Sequence, residues 1–173
     1  MTTQQLLLLA TCVYLAVLAM VTYFTRPTHR RFLGALAGGL AVALVGVGIE
    51  VLCQTLGFWH YPSTDPPYGP LLMYPVLVLM WAMYALIGWR VLRRFGWRGE
   101  VVFLTAVTVL GTLRDYLEAD KALGLIALAP GITTVLVDAV CWAGLTALAQ
   151  AVMRLVAGPA AAERLARRPW ESV

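Results

Sequence analysis

A chain of 173 residues with 61% hydrophobic and only 13% charged residues has too few polar side chains to coat a soluble globule and too many apolar ones to hide inside it. The same balance excludes a disordered chain and a disulfide-stapled secreted domain. The net charge of +4 speaks against a nucleic-acid binder, because it is gathered in short Arg clusters between apolar runs. With a mean hydropathy of +0.79, the composition predicts an all-α, polytopic membrane protein.

The first apolar run, residues 4–25, matches the roughly 20 residues that a helix needs to cross a hydrocarbon core. The preceding Met-Thr-Thr-Gln-Gln lacks the basic stretch of a signal peptide, so this helix is expected to stay in the mature chain. Arg26-Pro27 ends it, and Arg26, His29, Arg30 and Arg31 fill the first connection. The second run, 32–56, carries Gly34-x-x-x-Gly38, then Gly39, Ala43, Gly46 and Gly48, a small-residue surface that lets another helix approach closely.

The second connection, Gly57 to Gly69, is Pro-rich and has no Lys or Arg. Its polar groups are His60, Tyr61, Ser63, Asp65 and Tyr68, while Trp59, Tyr61, Tyr68 and Tyr74 read as an aromatic belt. The third run, 70–92, holds Pro75 in its first turns. Further along it Met73, Met80 and Met83, interleaved with Trp81 and Tyr84, are expected to pack a core. Arg90, Arg93, Arg94 and Arg98 follow, flanked by Trp89, Phe95 and Trp97 as a second belt. After the fourth run, 101–119, the apolar stretch Ala122 to Ala129 is too short to span and reads as an interfacial or re-entrant helix.

The fifth run, 132–156, completes one transmembrane domain over 1–157. A basic tail, 158–173, with Arg164, Arg167, Arg168 and Trp170, is expected to lie as a helix on the cytoplasmic surface. Five spans, with arginines in the first and third connections and the tail, predict a plasma (inner) membrane protein. Its N-terminus is then outside and its C-terminus cytoplasmic. Cys12, Cys53 and Cys141 fall inside spans without zinc-site spacing, and read as small buried residues.

The ionisable residues within the spans are the costly ones: Glu50, Arg114, Asp115 and Asp138. At about 1.5 Å rise per residue all four fall in the outer third of their helices. On the fourth span Thr105, Thr108, Thr112 and Asp115 recur at three- and four-residue steps, a polar face expected to turn inwards. Arg114 lies about 100° around the axis from Asp115, on the side of Glu118, with which it can pair at i+4. Thr134 and Asp138 share a face of the fifth span, with Cys141 and Trp142 one turn further in. Two readings fit. Either Arg114 neutralises Glu50 or Asp138 and ties helices together, or the four residues build a functional polar pocket near the outer face.

The segment from Glu50 through Gly57-Phe58-Trp59-His60-Tyr61, a Pro-rich loop, Gly69-Pro70-Leu71, Pro75 and Trp81 resembles carotenoid biosynthesis membrane proteins of the bisanhydrobacterioruberin hydratase type. Leu113-Arg114-Asp115-Tyr116 is similar to the acidic position of their following helix. The resemblance implies hydration or cyclisation of a polyene by protonation of a C=C bond, with no metal or nicotinamide cofactor. Glu50 or Asp138 would then be the acid and Asp115 the partner that handles a water proton, with Arg114 among them. Trp59, Tyr61, Tyr74 and Trp81 would wall the substrate, with His60 nearby. The implied partner is a membrane lipid or isoprenoid. The competing expectation is a non-catalytic accessory subunit whose main partner is another membrane protein or a pigment.

Overall fold

The computed structural model describes residues 2–64, 69–121 and 126–158, the side chains of 118–121 excepted. In chain order its elements are α1 (Thr3–Thr25), α2 (His29–Thr55), β1 (Trp59–His60), α3 (Met73–Lys121), β2 (Ala127–Leu128) and α4 (Ile132–Ala157). All four helices are long and apolar enough to cross a membrane. Thr2 and Gln5 form a capping box that starts α1, Arg26 in the left-handed region ends it before Pro27, and Thr28 caps α2.

At 49 residues, α3 would be about 73 Å long if straight, more than twice a hydrocarbon core of about 30 Å. It is not straight. Gly96 has φ 69° and ψ −159°, a conformation open to glycine, and the chain turns back there. The arms 73–95 and 97–121 run antiparallel. Arg114 reaches the Met80 sulfur at 3.5 Å, and a Cβ added to Gly88 would lie 2.8 Å from the Phe103 ring. The third and fourth apolar runs are thus the two arms of one hairpin. The Arg-rich stretch between them, expected as a connection, is helical on both sides of a single residue.

α2 is wedged between α4 and the first arm of α3. A Cβ on Gly38 would sit 2.6 Å from the Ala149 carbonyl oxygen, one on Gly34 3.1 Å from that of Met153, and one on Gly39 would collide with the Val78 carbonyl. The small-residue surface therefore faces two neighbours at once. It does not extend to Gly46 and Gly48, where a Cβ would meet nothing within 4 Å.

The other end of the α2 and α4 pairing is held by arginines. Arg31, 1% exposed, donates to the Gly158 carbonyl and lies 5.5 Å from the centre of the Trp89 ring, which Arg93 also approaches at 5.7 Å. Arg30 donates to the Val156 carbonyl at 2.8 Å, so two cations satisfy end carbonyls of α4. Arg154 pairs with Glu100 nearby. Trp89, expected in an interfacial belt, is buried, whereas Phe95 and Trp97 are exposed. Replacing Arg31 with Gln is expected to lower stability by about 2 kcal/mol, the scale of a charge-assisted hydrogen bond. Thermal unfolding in detergent measures it, with Arg30→Gln as the milder comparison.

Between α2 and α3, β1 pairs antiparallel with β2, Trp59 opposite Leu128 and His60 opposite Ala127, and the Ala129 N–H donates to the Phe58 carbonyl at 2.8 Å. The described part of the stretch 122–129 is therefore strand, not the short helix its apolar composition suggested. Pro130 disfavours helical backbone at the residue before it, and the chain leaving α2 supplies backbone partners. Residues 122–125 and the basic tail, 159–173, lie outside the described residues, as do Asp65 and Tyr68.

Candidate functional site

A cavity of about 260 Å³ lies among the helices toward the β1–β2 end. All four ionisable residues singled out by sequence, Glu50, Arg114, Asp115 and Asp138, line it, together with Trp59, Tyr61 and Trp81. Most of the remaining wall is apolar, with Leu7 and Ala10 of α1, Met80 of α3 and Leu145 of α4 among its residues.

Glu50 is buried and accepts two phenolic hydrogen bonds, from Tyr61 at 3.2 Å and Tyr74 at 3.1 Å. The geometry follows from the turn after α2. Gly57 adopts φ 76°, β1 returns across the helix end, and Tyr61 is carried back over the carboxylate. Burial and the neighbouring Glu50 push the Tyr61 phenol well above its ordinary range, which keeps it a donor. Tyr74 does not line the cavity but holds Glu50 from behind. His60 is exposed, because successive residues of a strand point to opposite sides and Trp59 takes the inward one. Of the residues expected to wall a substrate, Trp59, Tyr61 and Trp81 line the cavity, and Tyr74 and His60 do not.

Arg114 folds back along its own helix to Asp115, with Nε and Nη2 at 3.2 and 2.9 Å from Oδ1. The bond that crosses between helices comes from Trp142 of α4, whose Nε1 donates to Asp115 Oδ2 at 2.8 Å. The Arg114 guanidinium lies 5.3 Å from the centre of that indole. A tie through Arg114 to Glu50 was one expectation; Glu50 is held by phenols instead.

Asp138 is 6% exposed, and its Oδ2 has no hydrogen-bond partner among the described residues. Thr112 and Asp115 are its neighbours across the α3–α4 contact, and Thr134 is buried on the same face of α4. The inward polar stripe of the second α3 arm is Thr108, Thr112 and Asp115. Thr105, expected to continue it, is exposed. Cys141 lines the cavity, Cys53 is buried beside it, Cys12 is exposed, and no metal-binding cluster occurs among the described residues.

The three carboxyl groups are therefore differently placed. Each oxygen of Glu50 and of Asp115 accepts a hydrogen bond, while Asp138 keeps one buried oxygen without a partner among the described residues. Aromatic faces stand close by, with Trp81 at 5.2 Å from Trp142 and 5.6 Å from Tyr84 between ring centres. An arrangement of this kind can pass a proton to or from an apolar guest and steady a cation against π-faces.

Trp142 was legible only as a residue one turn beyond Asp138. The signal that points to it is chemical: a buried indole N–H usually finds an acceptor, and Asp115 is at its depth. Gln150, another polar residue within a span, serves the fold by donating to the Tyr84 and Ala85 carbonyls. Comparison of the chain with protein-family models, with curated proteins and with solved structures finds no match to any of the three.

Proposed function

We propose that the cavity carries out acid–base chemistry on a polyene or other isoprenoid chain, in a plasma-membrane protein that crosses the bilayer five times. Four long apolar helices, one of them broken at Gly96, support the count of five, and Arg31, Arg93 and Arg154 gather at the Gly96 end. Retention of arginine on the cytoplasmic side supports that end as the inner one.

The observation that carries the function is Asp138, a buried carboxyl with an unbonded oxygen on an apolar, aromatic-lined cavity. In the reaction the Asp138 O–H bond breaks as a C–H bond forms on one alkene carbon, leaving a cation on the other. Trp81 and Trp142 offer their faces to that charge. Water adding to the cation, or loss of a neighbouring C–H proton, releases a proton that Asp115 accepts. Arg114 and Trp142 orient Asp115 for this task. Glu50, clamped by Tyr61 and Tyr74, fixes the shape and charge of the opposite wall.

The test is to make Asp138→Asn and Asp115→Asn and follow the isoprenoid and pigment profile of the host at matched protein levels. The expected result is accumulation of the unreacted polyene. An unchanged profile would overturn the proposal.

A second reading, an accessory subunit of a membrane or pigment–protein complex, draws on Gly48 and Gly144, which are exposed and have open space before them. A stoichiometric partner or bound pigment after purification in mild detergent would favour it.

A further inference from the structure

Gly46 is buried, yet a Cβ built on it meets no atom within 4 Å. A buried glycine with nothing in front of it faces a void, and the void is the cavity, which Gly46 lines one helical turn before Glu50. α1 lines the same cavity, through Leu6, Leu7 and Ala10. α1 packs on α3, whereas α2 packs on α3 and α4, so α1 and α2 bound the same cavity with little contact between them. Both helices are apolar outside that wall, with Leu8, Leu9, Leu44 and Val45 exposed.

Three residues that line the cavity carry a buried polar atom with no partner among the described residues, and these atoms are of two kinds. Asp138 Oδ2 is an acceptor, and the indole N–H groups of Trp59 and Trp81 are donors. All three residues are more than nine-tenths buried. A carboxylate head would not donate to Asp138, and an ammonium head would not accept from an indole. A hydroxyl does both.

We infer that the cavity draws its ligand sideways from the hydrocarbon layer, through the seam between α1 and α2, and that the ligand is a long-chain alcohol whose hydroxyl donates to Asp138. The inference rests on the cavity being the ligand site, as proposed above, but not on the chemistry done there. The chain lies past Gly46 in the seam. A methyl group at 46 would enter that path without touching a neighbour, and larger side chains would extend further along it.

Tryptophan quenching in phosphatidylcholine nanodiscs tests this, because Trp59, Trp81 and Trp142 all line the cavity. The probes are hexadecanol with a mid-chain nitroxide and hexadecane with the same label. Wild-type protein is expected to show saturable quenching by the alcohol, with the hydrocarbon about tenfold weaker, as loss of one hydrogen bond implies. Gly46→Ala, Gly46→Leu and Gly46→Phe should weaken alcohol binding progressively, while Gly48→Phe on the exposed face leaves it unchanged. Asp138→Leu should reduce the alcohol to the level of the hydrocarbon. Equal binding of both probes to the wild type overturns the hydroxyl assignment, and normal binding to folded Gly46→Phe overturns the seam. Saturable binding to the wild type with an unchanged isoprenoid profile in Asp138→Asn and Asp115→Asn sinks the chemistry alone. An altered profile with normal binding to Gly46→Phe sinks the seam alone.

Discussion

Replacing Gly39 with Val is expected to cost about 3 kcal/mol of stability and to leave little folded protein, the upper range for forcing bulk into a packed contact. The Val78 carbonyl, which the new Cβ would strike, belongs to the backbone of α3 and cannot rotate away as a side chain can. The two helices must separate, and because α2 also packs on α4 through Gly34 and Gly38, relief on one side strains the other. Gly38→Val should behave similarly against Ala149. Gly48→Val, with open space around it, should unfold like the wild type. Unfolding temperature and yield in detergent decide the matter, and a Gly39→Val protein as stable as Gly48→Val would show that the close approach is not what holds these helices.

Asp138→Leu is expected to move stability and activity in opposite directions. A buried acceptor with no partner costs about 1–3 kcal/mol in the folded protein, and an aliphatic side chain of similar size removes that cost. The variant should therefore unfold at a higher temperature. Turnover of the isoprenoid should fall by about 10²- to 10⁴-fold, the usual contribution of a general acid. Asp115→Leu is the instructive contrast. It leaves the Trp142 N–H and the Arg114 guanidinium without the acceptor they share, so stability and activity should fall together. If Asp138→Leu instead destabilised the protein, Asp138 would be part of the scaffold, and the opposition between fold and function would vanish.

The helices were legible because hydropathy alone decides which stretches can leave water, and the ionisable residues stood out because their burial is costly. The reversal at Gly96 was not. A single residue with positive φ inside an Arg-rich stretch looks the same in sequence as a loop, and only the conformation separates them. Gly38 and Gly46 are equally small and both lie on α2, yet one meets a carbonyl and the other a void, a difference that depends on which helices stand opposite. The grouping of Glu50 with Arg114, Asp115 and Asp138 could be read from their depth. The partners could not. Tyr61 reaches Glu50 because the chain doubles back at Gly57, and Tyr74 reaches it from the far side of a loop. His60 and Trp59 are neighbours in the chain, and strand alternation sends one out and the other in.

The grip of Arg30 and Arg31 on the end of α4 has a consequence for biogenesis. Both arginines emerge from the ribosome early, in the first turn of α2, but the carbonyls they require belong to Val156 and Gly158. Until α4 has been made and inserted, the carbonyls that Arg30 and Arg31 hold at its end do not exist. The first two helices can both pack on α3 once it is made, but the grip of the two arginines waits for the last helix. A chain interrupted before residue 156 would therefore lack both carbonyls that Arg30 and Arg31 hold, and α2 would have no such grip on the end of α4.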